Sequence, residues 1–300
     1  MGTLRTGALT RRRVGTRAAD LEYAVVDVET TGLDPREGAR LVEIAVVRVH
    51  GDGRVLDEFS TLVDPRAPIG GQEFHGIGEG DVIGAPRAEE IVPRIAELLS
   101  GAVVVGHNLD FEERFLAAEL VPAGLPAGQS GLCTLRALRS QLDLARYSLP
   151  RASHLLSGDW PTGQHTALGD ARACAGLLGE MITNAPGDLR YTGPSPRFLR
   201  GETPSAGPVR FKPRTTSGTT TRLPLRPWSS ARWRRRELDS LLCGGAFRDA
   251  EREVAESAAR RDARLRERLG RAAVVTGGIA ATVAGGMLLR RAGDPRLPRG

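Results

Sequence analysis

Residues 23–32 read "YAVVDVETTG", and the placement of this run decides the fold. Four apolar residues lead in, and then Asp27 and Glu29 flank Val28 before Thr-Thr-Gly. The pattern is that of a buried strand whose far end turns polar. Side chains two apart on a strand share a face, so both carboxylates project together above the sheet. Held that close they repel unless a cation lies between them, and oxygen-only ligands select Mg²⁺ or Mn²⁺ over zinc. Alone, the pair reads more simply as a solvated strand end.

Outward from this strand, "RLVEIAVVRVHGDGRVLDEFSTLV" (residues 40–63) is two β-branched runs joined at "HGDG", a hairpin signal. After Pro86, Ile91, Ile95, Leu98 and Leu99 recur at helical spacing, and "AVVVG" (102–106) is a short buried strand. Helices follow from about Phe111 to Leu120 and through Asp170 to Ile182. Antiparallel strands first, then alternating helix and strand, predict one α/β domain over residues 20–184 with a mixed sheet.

Two helices bear on the carboxylate pair. On the last one, Asp170 shares a face with Cys174, Leu177 and Met181, so it points at the sheet, where a carboxylate is expensive without a cation or donor. His165 falls off that face and belongs to the preceding loop; beside a metal cluster an imidazole is a candidate base. The stretch "HNLDFEERFL" (107–116) offers Asp110, Glu112 and Glu113. At about 100° per residue, Glu112 lies between the apolar anchors Phe111, Phe115 and Leu116, whereas Asp110 points nearly the opposite way and suits the first turn of a helix. Glu112 is thus expected to face the site, with Glu119 on the same side as a structural acid held by a backbone or Arg partner.

The 300 residues carry 42 bases and 36 acids. Residues 20–184 hold 25 acids and 13 arginines, a net of −12, and the remainder carries +18. Attraction to a polyanion would have to come from the ends. Cys133, Cys174 and Cys243 show neither metal spacing nor a disulfide framework, which fits a reducing cytoplasm. Residues 1–19 are basic, lack the apolar run of a secretory signal, and are expected to be disordered. Residues 185–230 are rich in Pro, Gly, Ser, Thr and Arg and predict a disordered linker, so the body should act alone. From Tyr191 to Arg236 bases interleave with Phe198, Phe211, Trp228 and Trp233, a mixture suited to single-stranded nucleic acid or an anionic membrane. A charged helix is expected over 231–270 and an apolar Gly/Ala-rich helix over 271–291, with 292–300 disordered. The uncharged stretch 272–289 would span ~27 Å, marginal for membrane insertion.

"VVDVETTGLD", "HNLDFEERFL" and "HTALGDA", in this order, resemble the three motifs of the DnaQ-like DEDD 3′–5′ exonucleases, in the subclass with a His five residues before the last Asp. "HGI" (75–77) and "CTLRALR" (133–139) are similar to segments of the epsilon proofreading subunits of bacterial DNA polymerase III. The resemblance implies a ribonuclease H-like fold, a mixed five-stranded sheet flanked by helices, with Asp27, Glu29, Glu112 and Asp170 as ligands of two Mg²⁺ or Mn²⁺ ions. It further implies His165 as general base, Thr30, Thr31 and His75 around the terminal nucleotide, and DNA 3′ ends as substrate. The family usually has Asp where Glu112 stands, and an arm longer by about 1.3 Å would lower the rate. Gly70 stands where the epsilon subunits carry an acid. Two other readings use the same residues: an RNA-trimming 3′–5′ exoribonuclease, and a catalytically weakened nucleic-acid or membrane tether. The identity of a polymerase partner is not encoded in these motifs.

Overall fold

The computed structural model describes residues 3–199, 208–214, 223, 225–228 and 232–239. In chain order the strands are β1 (Leu4–Gly7), β2 (Leu9–Thr10), β3 (Thr16–Arg17), β4 (Glu22–Thr30), β5 (Leu41–His50), β6 (Val55–Leu62), β7 (Val103–Gly106), β8 (Gln129–Cys133) and β9 (Arg190–Tyr191). The helices are α1 (Gln72–His75), α2 (Ala88–Leu99), α3 (Asp110–Phe115), α4 (Thr134–Gln141), α5 (Leu149–Ser157) and α6 (Ala167–Thr183). Directly after α3, Leu116–Leu120 winds as π-helix, with Val121 N–H bonded to Leu116 O at 2.9 Å.

The sheet runs β1-β8-β7-β4-β5-β6. The meander β4-β5-β6 is antiparallel, while β7, β8 and β1 extend the sheet in parallel from β4. The turn at residues 50–54 is closed by His50 N–H to Arg54 O at 2.9 Å, with Gly53 at φ 84°. Alternation sorts the two faces of β4. Tyr23 and Val25 enter a core built with α4, α5 and α6, whereas Ala24, Val26 and Val28 pack with α2 and the start of α3.

The chain ends depart from the sequence expectation. Instead of five strands there are six, because residues 4–7, within the stretch read as disordered, pair with β8. Leu4 is buried and its N–H donates to Glu113 Oε1 at 2.8 Å. Four residues are too few to show a period, yet an unpaired strand edge supplies their backbone partners. β2, β9 and β3 form a second, small sheet.

The segment read as a disordered linker is likewise packed where it is described. Leu199 enters the α2-side core, Phe211 meets Phe59 edge-on at 4.9 Å, and Leu223 N–H donates to Gly53 O at 3.0 Å. Trp228 Nε1 donates to Glu180 Oε2 at 2.9 Å, and Trp233 pairs with Leu142 in a backbone bridge. Two of its bases find acids of the body, Arg214 with Glu43 and Arg226 with Asp159, and Arg234, in the stretch expected as a charged helix, pairs with Asp143. The aromatics Phe211, Trp228 and Trp233, read as nucleic-acid or membrane contacts, are thus packed on the protein itself, whereas Phe198 remains 75% exposed. Sparse apolar residues cannot build a core of their own, but each can fill a groove in an existing one. Residues 240–300, with most of the expected charged helix and all of the apolar helix, lie outside the described residues. Among the described residues no helix is long and apolar enough to cross a membrane.

Candidate active site

The face of β4 that buries Tyr23 and Val25 continues outward as Asp27 and Glu29, and a register shift between Glu29 and Thr30 ends the regular ladder there. Opposite them, α6 begins at Thr166, whose hydroxyl accepts from Gly169 N–H at 3.1 Å, and places Asp170 in its first turn. Asp27, Glu29 and Asp170 each bring one carboxylate oxygen within 4.8 Å of the others. Burial drives the Asp27 carboxyl well above the usual range, reinforced by repulsion from Glu112, Asp170, Glu29 and Glu43 in that order. Glu29 is pushed up to about 7 by burial and by Glu43 and Asp170, against a lowering pull from Arg214. Asp170 is raised by burial, which the N–H of His165, at 3.0 Å from its Oδ2, partly offsets. Carboxylates so placed carry bare charge at a cost that a bound cation would relieve.

The three acids of residues 110–113 have separate fates. Asp110 is exposed and pairs with Arg136. Glu113 is taken by the amide of Leu4. Glu112 is only 4% exposed, its Oε2 has no hydrogen-bond partner, and burial lifts its pKa to about 8. It stands outside the cluster of three, yet among the acids it exerts the largest repulsion on Asp27. Its carboxylate occupies the space beside Gly106 at the end of β7, where a Cβ would come within 2.9 Å of Oε2. Glu119, one stretch further on, is satisfied by Leu41 N–H at 2.7 Å and Arg40 at 3.3 Å.

His165 is exposed on the loop before α6, at φ 62°, in the left-handed region that a residue with a Cβ seldom occupies. The Thr30 hydroxyl donates to Gly32 O at 2.6 Å, and that of Thr31 accepts from Arg40 N–H at 2.8 Å. His75 is buried with both ring nitrogens engaged: Nδ1 accepts from Ile77 N–H at 3.0 Å and Nε2 lies 3.0 Å from Gly70 O. A Cβ at Gly70 would lie 2.5 Å from Thr31 O, so no side chain fits at this position.

Residues 24–178, just over half the chain, match the family RNase_T, described as exonuclease. The chain belongs to the RNase_T exonuclease family. Its relatives include the "DNA polymerase III PolC-type" of Thermotoga maritima, 35% identical over 52% of this chain and 11% of that one. The "DNA polymerase III subunit epsilon" of Aquifex aeolicus is 32% identical over 54% of this chain and 81% of its own length. The chain therefore spans most of that epsilon subunit but only about a tenth of the PolC-type polymerases it matches. A solved "full-length 3'-exonuclease" is 14% identical with a TM-score of 0.48, covering 68% of this chain and 73% of that one.

The RNase_T exonuclease domain thus has a mixed sheet flanked by helices. Two residues at its site escaped the sequence reading. Glu43, fully buried on β5 directly across from Glu29, accepts from Ala167 N–H at 3.1 Å and from Arg214 Nη1 at 3.0 Å. An acid inside the apolar run "RLVEIAVVRV" was the available signal. Arg214 carries no local signal, because its partners are brought to it by folding.

Proposed function

We propose that this RNase_T domain is a metal-dependent 3′–5′ exonuclease that releases nucleoside monophosphates from single-stranded or frayed DNA 3′ ends. The observation that carries the reading is the convergence of three carboxylates from β4 and α6 beside the unpartnered, buried Glu112. A donor set of oxygens alone, costly without a counter-charge, fits hard divalent cations such as Mg²⁺ or Mn²⁺. Asp27, Glu29 and Asp170 would hold one ion, and Asp27 with Glu112 a second. Such a pair, when bound, activates a water and offsets charge on the departing 3′ oxygen.

His165, exposed on the loop before α6, is the residue that takes the proton from the attacking water in this reading. Its own backbone N–H donates to the Asp170 carboxylate at 3.0 Å, which ties the loop of the base to the helix of the ligand. The peptide groups of Thr30 and Thr31 and the loop around His75 receive the terminal nucleotide. The names of the polymerase III relatives favour DNA over RNA as the substrate.

With Mn²⁺ and a 5′-labelled DNA oligonucleotide, the full chain should shorten the strand from its 3′ end and release mononucleotides. His165→Ala should lower the rate about 10²- to 10⁴-fold. Digestion that this substitution leaves untouched would refute the assigned base. A matched RNA strand degraded faster than the DNA would replace the substrate by RNA.

A further inference from the structure

We infer that Arg214, from the segment beyond the RNase_T domain, is a positioning residue of the active site. Its guanidinium joins three pieces of the pocket. Nη1 donates to Glu43 Oε2 at 3.0 Å and lies 3.5 Å from His165 O, and Nη2 donates to His75 O at 2.9 Å. Glu43 Oε2 in turn accepts the N–H of Ala167 at 3.1 Å, two residues past His165. One cation thus ties the loop of the proton acceptor and the loop of the nucleotide pocket to a buried carboxylate on β5.

Arg214 is held in place by its own neighbours in sequence. Lys212 O accepts from Leu62 N–H at 2.8 Å, Lys212 N–H donates to Thr61 Oγ1 at 2.9 Å, and its Nζ donates to Ile83 O at 2.9 Å. Phe211 packs edge-on against Phe59. The segment is therefore pinned at Lys212 to the end of β6, two residues before the arginine. Glu43 is where the charge is needed. It is fully buried, and its Oε1 has no hydrogen-bond partner. Without Arg214 it would keep a single backbone donor, and a buried carboxylate so poorly satisfied favours rearrangement of the loop it caps. A planar fork reaching two carbonyls and a carboxylate is arginine chemistry, which a lysine cannot reproduce.

This inference rests on the exonuclease reading for its consequence in rate, but not for its consequence in structure, and the test separates the two. In the full chain, Arg214→Ala should lower kcat about 10- to 100-fold with KM changed less than about threefold, because loop displacement acts on the chemical step. Guanidinium ion added to that variant should restore part of kcat, and Arg214→Lys should stay impaired. Phe211→Ala, which loosens the segment without touching the loops, should give a smaller loss of the same kind. Amide hydrogen exchange over residues 163–168 and 70–77 should be faster in Arg214→Ala than in the parent protein, whether or not that protein digests DNA. A parent protein inactive on every strand would overturn the exonuclease reading while the exchange result still judges the role of Arg214. Unchanged exchange in both loops, or a rise in KM alone, would overturn the positioning role.

Discussion

The two ends of the helical stretch 110–120 treat a buried acid in opposite ways. Glu119, in the π-wound half, has a backbone N–H and a guanidinium on its carboxylate, at 2.7 and 3.3 Å. Glu112, in α3, is buried more deeply and has an oxygen with no partner at all. Burial alone therefore does not distinguish a structural acid from a functional one. The distinction lies in whether the fold supplies the counter-charge or leaves it to be supplied from outside.

The comparison breaks most visibly at Asp27, whose carboxyl is repelled by four other acids. Asp27→Asn should abolish digestion, a loss on the order of 10³-fold or more, and yet raise the melting temperature of the chelator-treated protein. Lost stability instead would mean that the cluster is a structural network like that of Glu119. At the next level of effect, Glu112→Gln should lower the rate about 10²-fold with no loss of stability. Glu119→Ala should do the reverse, costing about 1–3 kcal/mol by stranding the buried Leu41 amide, while folded molecules keep their rate; denaturant melts beside rate measurements would tell the two apart.

Gly106→Ala sharpens the same contrast from the other side of α3. A methyl group 2.9 Å from Glu112 Oε2 must displace that carboxylate, and a roughly tenfold slower enzyme is the expected result. The smallest effect is on pH dependence without metal. Glu29 and Glu112 have folded pKa values of about 7 and about 8, above their ordinary 4.5. The folded state thus binds more protons than the unfolded one. Stability should be fullest below about pH 4.5 for these groups and fall as pH rises through 7 and 8, and saturating Mn²⁺ should flatten that slope. Melting curves across pH 5–9 with and without Mn²⁺ measure it.

Legibility in the sequence followed the length and regularity of each signal. β4, β5 and β6 were readable because long apolar runs meet at a Gly-rich turn, and the Asp27–Glu29 pair because strand alternation needs only two residues to assign a face. The readings of residues 1–19 and of the described part of 185–230 missed their packing for one reason. β1 has four residues, and Leu199, Phe211, Leu223 and Trp228 are isolated apolar side chains, so neither set carries a period; both are held by grooves and edges that exist only once the body has folded. Glu43 passed as one more member of a strand. Arg214 sits 49 residues beyond His165, and no spacing rule reaches that far.

The π turns after α3 bear on how this chain is laid against its relatives. Each such turn takes up one residue more than an α turn, so Leu116–Leu120 amounts to a local insertion absorbed without a bulging loop. Removing one residue there would restore ordinary winding and rotate Glu119 by about 100° about the helix axis, away from Leu41, while leaving Glu112 where it is. A homologue without the wide turn would therefore fall out of step with this chain by one residue beyond Phe115.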